Sequence, residues 1–99
     1  MDFFDLVVIG GGSAGYAAAN AAQSKGAKVA IVDKGPLGGL CILRGCMPTK
    51  TILRSSDVLA LIHRAKEFGL SASNPSADLS LINDRKIRLI DEFASYRIE

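Results

Sequence analysis

The chain has 99 residues, 48% hydrophobic and 22% charged, with a formal net charge of +2. That length allows one small domain with a modest core, and the balance excludes a disordered chain. The small charge, carried by basic residues interleaved with Asp and Glu, excludes an electrostatic case for nucleic acid or an anionic membrane.

No segment approaches the roughly 20 apolar residues of a membrane span, because the run Phe3 to Ile9 contains Asp5 and stops at glycine. Met1-Asp2-Phe3-Phe4-Asp5 lacks the positive start of a signal peptide. The sequence therefore reads as cytoplasmic, where a close cysteine pair is more often catalytic or metal-binding than a structural staple.

Phe4-Asp5-Leu6-Val7-Val8-Ile9 is a short apolar, partly β-branched run ending at glycine, which predicts a buried strand of a parallel sheet. Ser13 to Lys25, rich in alanine and closed by Gly26, predicts a helix. Lys28 to Val32 predicts the second strand, so residues 4–32 read as a right-handed βαβ unit. Pro36 and the glycines at 35, 38 and 39 predict a loop, and Cys41 to Phe68 a helix with Ile52, Leu59, Ile62 and Ala65 on one side. Pro48 stands near its start, where proline is tolerated or bends the helix. After a loop over 69–77, Asp78 is placed to cap a last helix carrying Leu79, Ile82, Leu89, Ile90 and Phe93 on one face, with Lys86 at its edge. The chain stops at Arg97-Ile98-Glu99 without a turn or cap signal, and two parallel strands are few for an open sheet, so it reads as a fragment.

Gly10-Gly11-Gly12-Ser13-Ala14-Gly15 has the spacing G-x-G-x-x-G between strand and helix. The first glycine permits the tight turn, the second a close approach to a pyrophosphate, and the third helix-to-sheet packing. The phosphates would lie on the helix amino terminus, and Asp33, after the second strand, stands where a carboxylate meets ribose hydroxyls. Such a turn accepts either FAD or NAD.

Cys41 and Cys46 follow in Gly38-Gly39-Leu40-Cys41-Ile42-Leu43-Arg44-Gly45-Cys46-Met47-Pro48-Thr49-Lys50. In a regular helix their Cα atoms would be about 8.6 Å apart, beyond the roughly 4.4–6.8 Å of a disulfide, so pairing requires a distortion that Gly45 and Pro48 can supply. At a helix start the dipole would lower a thiol pKa. Two small apolar residues, or part of a zinc site with His63, are the alternatives, the second short of ligands. No metal is expected.

This segment, with the glycine turn upstream, resembles the active-site signature G-G-x-C-x-x-x-G-C-x-P-[ST]-K of the class I pyridine nucleotide–disulfide oxidoreductases, closely over residues 4–50 and loosely beyond. The resemblance implies an α/β fold: a Rossmann-type FAD-binding βαβ unit followed by helices, with residues 1–99 the amino-terminal part of the FAD-binding domain of a larger flavoprotein with two dinucleotide-binding domains. It implies FAD as cofactor, NAD or NADP in the full-length enzyme, and electron flow from nicotinamide through flavin to a Cys41–Cys46 disulfide. Cys46 would face the flavin and form the charge-transfer thiolate, Cys41 would be the interchange thiol, and Lys50 would favour reduced flavin by its charge. Gly10, Gly12, Ser13, Ala14 and Gly15 would hold the pyrophosphate and Asp33 the ribose, with Lys34, Gly39, Gly45 and the backbone around Cys41 lining the rest.

The family usually has Glu at Asp33, Thr at Leu40 and Asn at Leu43. Its acid–base His–Glu pair comes from the partner subunit of a homodimer, and His63, mid-helix, is a poor substitute. The segment alone is thus expected to be inactive. Gly15-Tyr16 and Lys50-Thr51-Ile52-Leu53 lean towards the dihydrolipoamide dehydrogenase branch, with a small or protein-bound disulfide or dithiol substrate. A mercuric reductase, a dinucleotide-binding module without thiol chemistry, and a non-catalytic remnant of a truncated gene are the alternatives.

Overall fold

The structure is a computed structural model that describes residues 1–98; Glu99, on which part of the expectation about the chain's end falls, lies outside them. Strand β1 (Leu6–Ile9) pairs in parallel with β2 (Val29–Val32), in the register Leu6 to Val29 through Ile9 to Val32. Helix α1 (Ser13–Gln23) is the crossover. It ends two residues before the expected Lys25 because the chain turns there: the Gly26 N–H donates to the Gln23 carbonyl at 2.8 Å with Gly26 at φ +87°. Asp5 anchors the sheet's entry, where the Lys28 N–H donates to its carboxylate at 2.8 Å.

The sheet is not buried as expected. Val8 faces α1, but Val7 and Ile9 are exposed, Ile9 at 89%. Alternate side chains on a strand point to opposite faces, and α1 covers only one of them.

The single helix expected over 41–68 is three elements: α2 (Gly39–Leu43), α3 (Cys46–His63) and a 3-10 turn at Ala65–Phe68. The break falls at Gly45, where an added Cβ would lie 3.0 Å from the Leu40 carbonyl oxygen. A side chain there would require that carbonyl to give by a few tenths of an ångström, which favours glycine. Pro48 fits within the first turn of α3, where a backbone N–H has no helical acceptor. The face of α3 turned inward carries Thr51, Ser55 and Leu59, whereas Ile52 and Ile62 are exposed. A polar member is tolerated there because the Thr51 hydroxyl donates to the Pro48 carbonyl at 2.8 Å.

Helix α4 (Leu79–Ile98) starts as expected, with the Asp78 carboxylate accepting from the N–H groups of Ser80 at 2.9 Å and Leu81 at 3.2 Å. Ile90 is buried, and Ile82, Lys86 and Leu89 are half-buried beside it. Leu79 and Phe93, expected on that face, are exposed. Helix α4 packs along α3, and Arg85 donates to the Thr51 carbonyl at 3.0 Å. Near its end the Arg97 guanidinium lies 4.5 Å from the Tyr16 ring of α1, joining helical arm and βαβ unit. The molecule measures 66 × 25 × 17 Å, with a radius of gyration of 19.7 Å against about 13 Å for a compact chain of this length. Among the described residues the buried core is correspondingly small: Ala19, Ile42, Ala65, Ile90 and Thr51.

No helix among the described residues is long and apolar enough to cross a membrane.

Candidate functional site

Two short backbone segments meet at the carboxyl ends of the strands. The first is the glycine turn between β1 and α1. Gly10, at φ +100°, donates to the Val32 carbonyl at 2.7 Å, so the turn starts while still tied to β2. A Cβ on Gly15 would lie 1.9 Å from the Gly10 carbonyl oxygen, whereas one on Gly12 would meet nothing within 4 Å. The third glycine thus lets α1 close onto the turn, and the second leaves open space in front of the helix. Gly12 caps α1 without a side-chain hydrogen bond, and the first turn holds no acidic residue. The N–H groups of Ser13, Ala14 and Gly15 therefore have neither helical acceptors nor a competing anion behind them.

The second segment is the loop from Asp33 into α2. Asp33 follows β2, as expected, but both carboxylate oxygens accept backbone N–H groups: Oδ2 from Gly11 at 2.7 Å and Oδ1 from Gly35 at 2.9 Å. The Gly35 bond, then the Gly11 bond, hold its carboxyl below the usual range, aided by the Lys34 backbone and charge. Gly39, at φ +81°, presses on the turn: a Cβ there would lie 2.6 Å from Gly12 Cα. Gly11 and Gly35 complete this junction through their bonds to Asp33, and Gly38, the first glycine of the cysteine signature, caps α2 at φ +131°. The spacing Asp33-Lys34-Gly35 is the signal that could have found the bond to Gly35, since Asp commonly accepts from the N–H two residues on.

Cys41 lies on α2 and Cys46 is the first residue of α3; the break between them sets Gly45 against the Cys41 backbone, where an added Cβ would lie 3.5 Å from Cys41 Cα. Both are free; Cys41 is half-buried and Cys46 exposed. The side chains interact: hydrogen bonding with Cys46, then burial and the charge of Cys46, push the Cys41 thiol up, opposed by the Cys46 backbone N–H and Lys50. Lys50 stands one turn beyond Cys46 on the same side of α3. His63 ends α3, about 26 Å along the axis from Cys46, and belongs to no part of this junction. No group of three or more His, Cys, Asp or Glu side chains comes together among the described residues.

The arrangement can seat an anion at the start of α1 and carries two free thiols a short distance along the chain. A sequence profile described as pyridine nucleotide-disulphide oxidoreductase matches residues 4–95. A dihydrolipoyl dehydrogenase of Zymomonas mobilis is 43% identical over 94 residues, 95% of this chain and 20% of that protein. One from Bacillus subtilis is 38% identical over 93% of this chain and 19% of its own length. A mercuric reductase of Staphylococcus aureus is 39% identical over 90% of this chain and 16% of its length. The chain thus spans between about a sixth and a fifth of the length of these relatives.

Proposed function

Since the chain belongs to the pyridine nucleotide-disulphide oxidoreductase family, we propose that it forms the amino-terminal part of the FAD-binding domain and carries the redox-active thiols of a dihydrolipoyl dehydrogenase-like enzyme. The observation that carries this reading is the helix break at Gly45, which sets the Cys41 backbone against the start of α3 at Cys46, beside a glycine turn that leaves space for a phosphate.

The residues present fit FAD at that turn. Gly12 leaves the approach open, the N–H groups of Ser13, Ala14 and Gly15 are unpaired in α1, and Gly10 and Gly15 set the turn's shape. Asp33 retains a lone pair on each oxygen for ribose hydroxyls, because each accepts one backbone N–H. Gly39 lies against Gly12 at the edge of the same space, and Lys34 and Gly45 are proposed to line the rest of the cofactor. FAD, when bound, supplies two-electron transfer between a nicotinamide and a disulfide.

The chain's own part is thiol chemistry. A Cys41–Cys46 disulfide gains two electrons and two protons to become the dithiol. The dithiol then reduces a substrate disulfide by thiolate attack, through a mixed disulfide, and re-forms the intramolecular bond as the substrate leaves with two protons. Hydrogen bonding with Cys46 pushes the Cys41 thiol up, so Cys41 holds its proton more firmly than a free thiol does. Lys50 favours anionic forms nearby by charge. The nicotinamide, NAD or NADP, a homodimer partner and a cytoplasmic setting belong to this proposal for the whole protein.

The test uses the protein that carries this segment. The expected result is bound flavin in wild type, C41S and C46S, with NADH-driven reduction of lipoamide lost in both variants. Full activity in either variant would remove the thiols from the mechanism. A second reading, reduction of mercuric ion by the same pair, draws on the likeness to the Staphylococcus aureus protein. It requires mercuric-ion-dependent NADPH oxidation that exceeds the rate with lipoamide.

A further inference from the structure

We propose that Asp33 is a positioning residue for the cysteine pair, tying the glycine turn to the loop that carries Cys41. The proposal rests on the redox reading of the pair and gives Asp33 a role separate from any ribose contact.

The two donors to its carboxylate lie on different segments. Gly11, donating at 2.7 Å, belongs to the turn after β1; Gly35, at 2.9 Å, belongs to the loop that leaves β2. The bond to Gly35 closes an Asx turn, which bends the chain back as it leaves the strand. That bend brings Gly39 against the glycine turn, where an added Cβ would stand 2.6 Å from Gly12 Cα and 3.5 Å from the Gly11 carbonyl oxygen. Gly11, Asp33, Gly35, Gly39 and Gly12 therefore form a closed circuit of one carboxylate and packed backbone.

Cys41 leaves the circuit two residues after Gly39. Helix α2 spans only Gly39–Leu43; its buried Ile42 packs it on α3 and α4, and its amino-terminal end is held by the circuit. Cys46 opens the longer α3, whose preceding Gly45 lies against Leu40 and Cys41. Loosening the circuit therefore frees one of the two ends that fix Cys41 relative to Cys46. A carboxylate suits the task because both oxygens are acceptors and both bonds are charge-assisted. An amide would turn its NH2 towards one of the two donors.

The test is a glutathione redox equilibrium on the intact chain without added nucleotide. Two thiols and one oxidised glutathione give the Cys41–Cys46 bond and two reduced glutathiones, so the equilibrium constant reads the effective concentration of one thiol at the other. D33N is expected to lower that constant about tenfold, as loss of one charge-assisted hydrogen bond would. D33E keeps the charge but cannot hold both donors with its longer side chain, and is expected to lower it about threefold. Circular dichroism establishes which variants are folded. A constant within about twofold of wild type in the folded variants overturns the positioning role. A wild-type chain that forms no Cys41–Cys46 bond in oxidised buffer overturns the redox reading instead, and this proposal with it.

Discussion

Alanine at Gly15 is the sharpest test of how the βαβ unit closes. The new Cβ would lie 1.9 Å from the Gly10 carbonyl oxygen and 3.1 Å from both Gly10 C and a Val8 methyl. The oxygen belongs to the backbone and cannot rotate aside, so α1 must withdraw by about 1.5 Å to reach an ordinary 3.4 Å contact. Overpacking costs about 1–3 kcal/mol, and the upper end applies when backbone rather than a side chain must yield. The better helix propensity of alanine offsets about 1 kcal/mol. G15A should thus lose about 2 kcal/mol, a factor of about 30 in the folding equilibrium. Urea unfolding followed by far-ultraviolet circular dichroism measures it, and a midpoint at or above wild type would refute the packing argument. G12A is the matched control. Its Cβ meets nothing within 4 Å at φ −75°, so stability should hold within about 0.5 kcal/mol while FAD affinity falls, because the methyl enters the space before α1.

C46S removes the largest influence raising the Cys41 thiol, so Cys41 should ionise more readily and alkylate faster with iodoacetamide at mildly alkaline pH; an unchanged rate would mean that the side chains do not interact. The Asp33 carboxyl lies below its ordinary 3.8 in the folded chain, so the unfolded chain binds the proton first. Its stabilisation is complete above that value and lost as pH falls below it. D33N should flatten the acid limb of the urea midpoint against pH, and a limb as steep as wild type would refute the assignment. D78A removes the acceptor for two N–H groups of α4 and should cost about 1 kcal/mol in thermal unfolding; no change would show that the cap is idle.

Local order in the chain was enough for the βαβ unit. The glycine spacing after Leu6–Ile9, the alanine-rich run and Asp33 after the second strand act over a few residues, through backbone freedom, hydrophobic run length and turn chemistry. The Asp78 cap was legible for the same reason. The family signature around the cysteines was legible as spacing, and so was the need for a distortion between them.

Where segments distant in sequence meet was decided only by packing. The bond from Gly11 to Asp33 spans 22 residues, and the contact of Gly39 with Gly12 depends on the bend at Gly35. The helix break at Gly45 places Cys46 at a helix start, while the apolar spacing of 52–65 runs on towards a continuous helix and conceals where it breaks. Exposure of Ile9, Leu79 and Phe93 follows from which faces have a neighbouring layer, and no residue carries that information by itself. Periodicity gives each element a face. Tertiary contact decides whether anything covers it, because burial is a property of pairs of elements.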